Sequence, residues 1–149
     1  MRGRTLLIDG LNLVITLEVA LAGGPLLTCL DGAVRDLAGL RGSYRPVLQT
    51  EEAVDRIGGA LITLRTAGAR VYLDAPVSSS GKVRALFLEH ASHWDRPVGI
   101  DLVKDPDACL AGARYVVSAD AAVIDRSASW FNLGAMLVRA IEDAWIIAL

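Results

Sequence analysis

The chain has 149 residues, 53% of them hydrophobic, with a net charge of −2 and a pI of about 5.6. That length supports one domain with a real core, and the apolar share sends much of the chain to the interior. The charge gives no global attraction to nucleic acid, so any such contact needs a local patch.

No apolar run reaches the length of a membrane span: Glu18 interrupts one candidate, and Arg139, Glu142 and Asp143 interrupt another. Arg2 and Arg4 precede an apolar run that Asp9 stops early, so a signal peptide is not expected and the cytoplasm is the expected compartment. Thirteen of the fifteen basic side chains are arginine, which favours fixed charge and bidentate contacts to phosphate or carboxylate.

Leu6-Leu7-Ile8 is an unbroken apolar run, suited to a strand buried on both faces of a parallel sheet. It ends in Asp9-Gly10, and the spacing of Leu13, Leu17 and Leu21 predicts a helix over 11–22, closed by Gly23-Gly24-Pro25. Ligands of open α/β sheets bind at the carboxyl ends of the strands, so Asp9 stands where a catalytic or metal-binding carboxylate belongs; helix capping is the plainer role. Asn12, one turn on, can face the same point.

Residues 26–49 are expected to form a flap. Leu26–Leu30 suit a short strand and Asp31-Gly32 a turn. Arg35, Arg41 and Arg45 around Tyr44 suit phosphate contacts with a stacked base, against the alternative of a decorated surface hairpin. Thr50 is expected to cap a helix whose buried face is Val54, Ile57, Leu61 and Leu64.

Val71–Asp74 reads as a second strand ending on aspartate, followed by a serine-rich loop and a helix over 83–93. Val98–Val103 reads as a third strand. Asp105-Pro106 opens a short helix, with proline at its first position. Arg114–Ser118 reads as a fourth strand, leading through Ala119-Asp120 into another helix. The spacing of Leu133, Leu137, Ile141, Trp145 and Ala148 predicts a single terminal helix. Strands alternating with helices give a single α/β domain over 1–149, with a mostly parallel sheet and helices on both faces. The apolar tail Trp145–Leu149 suits self-association, and a homodimer is an expected partner state.

Three strands end on Asp9, Asp74 and Asp120, and parallel strands bring such ends to one edge. Converging carboxylates repel, and a divalent cation relieves the repulsion; oxygen donors select Mg²⁺ or Mn²⁺. Such an ion activates water and stabilises charge at a phosphoryl centre. Asp125 is about 140° round an ideal helix from Asp120, and reaches the site only if the helix starts after Asp120. Asp31 and Asp36 are weaker candidates, better explained as turn formers. Cys29 and Cys109 are expected as buried thiols, and His90 and His93 lack the cysteine spacing of a zinc site.

Ile8-Asp9-Gly10-Leu11-Asn12, Leu73-Asp74 and Val117–Asp125 together resemble the PIN-like nuclease superfamily, especially its NYN branch. With Asp31-Gly32 and Gly42-Ser43-Tyr44-Arg45, nearly the whole chain is similar to an uncharacterised prokaryotic PIN-like family. The resemblance implies a three-layer sandwich around a sheet of roughly four to five strands and a Mg²⁺- or Mn²⁺-dependent ribonuclease. Asp9, Asp120 and Asp125 match its acidic positions, and Asn12 its polar one. Asp74 joins them as a catalytic and metal-binding carboxylate, while Asn12, Arg35, Arg41, Ser43, Tyr44, Arg45 and Ser118 are the expected RNA-binding residues. The family's further acidic residue on a central helix finds Glu51, Glu52 and Asp55 as candidates, and Ala122 stands where many NYN members have aspartate. A binding module with a decayed acidic site is the second expectation. Leu11 argues against haloacid-dehalogenase chemistry, which needs a second aspartate there.

Overall fold

The computed structural model describes residues 1–37 and 44–148. Its central sheet has four parallel strands: β1 (Thr5–Asp9), β4 (Gly68–Asp74), β5 (Val98–Val103) and β6 (Val116–Val117), in the order β5-β4-β1-β6. The apolar run 6–8 is thus the middle of the sheet, with β4 and β6 hydrogen-bonded on its two sides. Its alternation divides the core. Leu6 and Ile8 join the large cluster beneath α1 (Gly10–Leu21), whereas Leu7 packs on Leu110, Val116 and Val123 on the other face. That second face is covered by α4 (Pro106–Leu110) and α5 (Ala121–Arg126).

A second sheet of three strands lies across α1: β2 (Pro25–Thr28), β3 (Val34–Asp36) and β7 (Trp145–Ala148), in the order β3-β2-β7. Sandwiched between two sheets, α1 is buried almost all round rather than along one stripe. The expected turn at Asp31-Gly32 closes the β2–β3 hairpin: Gly32 has φ +87°, and Ala33 N donates to Asp31 Oδ1 at 3.0 Å. The terminal segment corrects the expected single helix. Helix α6 (Leu133–Arg139) ends early, and Trp145–Ala148 pairs parallel to β2 in the register Pro25↔Trp145. Trp145, Ile146 and Ile147 favour extended backbone, and the β2 edge supplies the hydrogen bonds. Both cysteines are free thiols, but neither is buried as expected: Cys29 is half-buried and Cys109 is exposed.

Helices α2 (Thr50–Thr63) and α3 (Ser80–Ala91) complete the layer beside α1. Within α2, two adjacent glycines have opposite environments. A Cβ on Gly58 would stand 2.0 Å from the Trp94 indole, whose ring also meets Phe87 edge-to-face at 6.5 Å. A Cβ on Gly59 would meet nothing within 4 Å. Gly59→Ala is therefore expected to raise stability by about 0.5–1 kcal/mol, and Gly58→Ala to lower it by about 1–3 kcal/mol. Paired urea titrations with opposite shifts in midpoint check both; shifts of the same sign would show that Trp94 is not seated against α2.

Candidate active-site cleft

Strand β1 is the point at which the order reverses, with β4 on one side and the later β6 on the other. Open α/β sheets form their ligand crevice beyond the carboxyl ends at such a point. A cleft of about 340 Å³ lies there. Five aspartates line it: Asp9, Asp36, Asp74, Asp107 and Asp120, with Arg35 and Asn12.

The turn after β6 is fixed by side chains from several elements. Ser118 Oγ donates to Asp9 Oδ2 at 2.8 Å and accepts from Asp120 N at 3.0 Å. Asn12 Oδ1 accepts from Ala119 N at 2.9 Å. Arg35 Nε, reaching over from β3, donates to Ala119 O at 2.5 Å. Trp130 Nε1 donates to Ser118 O at 2.8 Å. Asp120 caps α5, its Oδ1 accepting from Ala122 N at 2.9 Å. Asp9 is buried and tied to this turn, while Asp74 and Asp120 are half-buried at the cleft surface.

The sequence-predicted residues divide accordingly. Asp9, Asp74, Asp120, Asn12 and Arg35 line the cleft, and Ser118 holds Asp9 from behind. Asp125 is exposed on α5 and does not line the cleft, because its helix carries it away from Asp120. Arg45 is exposed and borders a neighbouring apolar groove with Val19 and Val47. Tyr44 also lines the cleft but is not an exposed stacking platform: it is 1% exposed, and its hydroxyl donates to Glu18 Oε2 at 2.8 Å. Arg41 and Ser43 lie outside the described residues.

The helix acids do not join the cleft either. Glu52 pairs with Arg56 at 3.2 Å, and Glu51 and Asp55 both face His90. In their place stand Asp36, a weaker candidate from the sequence, and Asp107, which the sequence pattern did not single out. Asp105 makes that cap, accepting from Asp107 N at 3.1 Å, and leaves the Asp107 side chain to the cleft wall. Its only sequence signal was a second aspartate just after Asp-Pro.

The potential metal donors among the described residues lining the cleft are carboxylate oxygens, with no cysteine or histidine among them. That set suits a hard cation such as Mg²⁺ or Mn²⁺. Among the described residues, no three acidic, histidine or cysteine side chains stand ready to hold a metal ion. Mg²⁺ commonly takes one or two protein carboxylates and completes its shell with water and phosphate oxygen. Among the described residues, no helix is long and apolar enough to cross a membrane.

The fold and cleft define an α/β domain with an acidic crevice at a topological switch point. Residues 1–136 match the family described as "Domain of unknown function (DUF5616)", and the chain belongs to that family. The chain is also similar to the uncharacterised protein MJ0935 of Methanocaldococcus jannaschii, with 28% identity over 123 residues. That similarity covers 83% of this chain and 59% of the archaeal protein. No solved structure matches the chain.

Proposed function

We propose that this protein is a Mg²⁺- or Mn²⁺-dependent phosphodiesterase of PIN-like type acting on RNA in the cytoplasm. The observation that supports it is the convergence on one cleft at the switch point of Asp9 and Asp74, which close β1 and β4, and Asp120, which caps α5 after β6. A bound cation would supply Lewis acidity and an activated water there. One or two of Asp9, Asp74 and Asp120 would provide its protein oxygen donors, with water and phosphate oxygen completing the shell. Ser118 fixes the Asp9 carboxylate, and Asn12 and Arg35 hold the turn that carries Asp120. The cleft is strongly acidic, so it accepts a polyanion only with its charge neutralised, and RNA binding is expected to depend on the metal.

The test is cleavage of end-labelled single-stranded RNA with Mn²⁺, run beside calorimetric Mn²⁺ titration. Asp9→Asn and Asp120→Asn are expected to abolish cleavage. Ser118→Ala is expected to weaken Mn²⁺ binding by about 10–100-fold, since it removes the partner that orients a ligand carboxylate. Absence of both cleavage and Mn²⁺ binding would overturn the proposal. That outcome selects the second reading, a non-catalytic PIN-like binding module. The lack of three ready ligands among the described residues and Ala122 after the Asp120 cap favour it. Homodimerisation, expected from the apolar tail, is read on the same sample by light scattering, where a mass of 15.8 kDa counts against it.

A further inference from the structure

Away from the cleft, one imidazole joins α2 to α3. His90 Nδ1 lies 2.5 Å from Asp55 Oδ1, and its Nε2 lies 3.0 Å from Glu51 Oε1. The His90 side chain is 14% exposed. A neutral imidazole has one N–H, so one of these contacts would set a ring lone pair against a carboxylate oxygen. An imidazolium donates to both. We propose that Glu51–His90–Asp55 is a proton-operated clasp between α2 and α3, closed by the imidazolium and released when the ring loses its proton.

The charges that bear on the ring come from α2. Its Glu52 is taken up by Arg56. Strands β4 and β5, also packed on α3, carry Arg70 and Asp101, which pair with each other at 3.2 Å, and Asp74 at the cleft. On α3 itself, Arg84 is turned to Ile100 O at 3.0 Å. Burial acts to lower the pKa of His90, but the hydrogen bonds and charges of Asp55 and Glu51 outweigh it and hold the ring above its usual value. A basic group with a raised folded-state pKa stabilises fully below its unfolded value. For histidine that value is about 6.5. The contribution is lost as pH rises through the folded value. Both clasped helices begin on residues tied to the cleft wall. Ser80 Oγ donates to Asp74 O at 2.5 Å, and Thr50 shares Glu18 with Tyr44. Release of the clasp therefore loosens the supports of the cleft from outside it.

The chain has only two histidines, which makes the test direct. Ring resonances of the full chain are followed by NMR from pH 5 to 9, with His93→Gln giving the assignment, and thermal unfolding is recorded at pH 5.5 and 8.5. The expected results are a His90 midpoint above about 6.5, lowered in Asp55→Asn, and a Tm that falls by about 2–4 °C more in wild type than in His90→Gln between the two pH values. A His90 midpoint at or below about 6.5 overturns the clasp. So does an equal pH dependence in wild type and His90→Gln. If His90→Gln fails to fold, the wild-type and Asp55→Asn titrations still decide.

Discussion

Glu18→Ala is expected to cost about 3 kcal/mol, the range for opening a buried hydrogen-bonded site. In a chain of this size that lowers Tm by roughly 6–12 °C. Glu18 sits on α1 between the two sheets, 6% exposed. Its Oε2 accepts from Tyr44 Oη and from Thr50 Oγ1, and Thr50 Oγ1 also accepts from Val47 N at 2.8 Å. One carboxylate thereby seats the chain that returns from the flap and starts α2. Alanine removes the acceptor and leaves the Tyr44 and Thr50 hydroxyls to contend for each other at 3.5 Å. Glu18→Gln keeps the shape and an acceptor oxygen, and is expected to cost only about 1 kcal/mol.

The pH dependence separates the two variants further. Burial raises the Glu18 pKa, and the hydrogen bonds from Thr50, Tyr44 and Val47 only partly oppose it. An acid with a raised folded-state pKa favours the folded protein at low pH, and that contribution is lost as pH rises from the unfolded value through the folded one. The stability gap between Glu18→Gln and wild type should therefore widen in the variant's disfavour as pH is lowered toward about 4.5. Urea denaturation at stepped pH measures it; a constant gap would show that the Glu18 carboxyl is not shielded from water.

Gly68→Ala is expected to be comparably severe, at about 3 kcal/mol or more from combined strain and overlap. Gly68 opens β4 with φ +151°, and an added Cβ would stand 2.1 Å from Pro97 O. Backbone pairing holds both sides of this contact in place. Gly68 is in register with Thr5 of β1, and Ala69 N donates to the same Pro97 oxygen at 3.2 Å. The substitution thus pushes the start of β4 away from the segment that enters β5. Circular dichroism during thermal unfolding reads it, and a Tm within about 2 °C of wild type would contradict the tight approach at Pro97.

The central sheet was legible because its signals are local. Leu6-Leu7-Ile8 before Asp9-Gly10, Asp74 closing β4 and Asp120 at the cap after β6 carry the parallel order and the cleft edge in the chain itself. The cap at Asp105-Pro106 and the Asp31-Gly32 turn are equally local. What escaped depends on partners distant in sequence. Leu133, Leu137, Ile141 and Trp145 keep helical spacing, but the β2 edge that captures Trp145–Ala148 is more than a hundred residues away. Tyr44 sits in a polar, arginine-rich stretch, and nothing beside it announces that Glu18 buries its hydroxyl. Asp107 reaches the cleft only because α4 crosses behind β1 and β4, a consequence of topology rather than of local pattern.

The parallel pairing of β2 with β7 also has a kinetic consequence. Pro25 finds its neighbour only at Trp145, and Ile8 meets Val117 across a similar gap. While the chain is being synthesised, the middle strand of one sheet and the middle strand of the other each wait with one side open until their late neighbours leave the ribosome. Long-range pairings of this kind slow folding and expose unpaired strand edges in the meantime. The nascent chain is therefore most prone to association just before residues 116–117 and 145–148 arrive, and a chaperone that shields apolar strand edges would act in that interval.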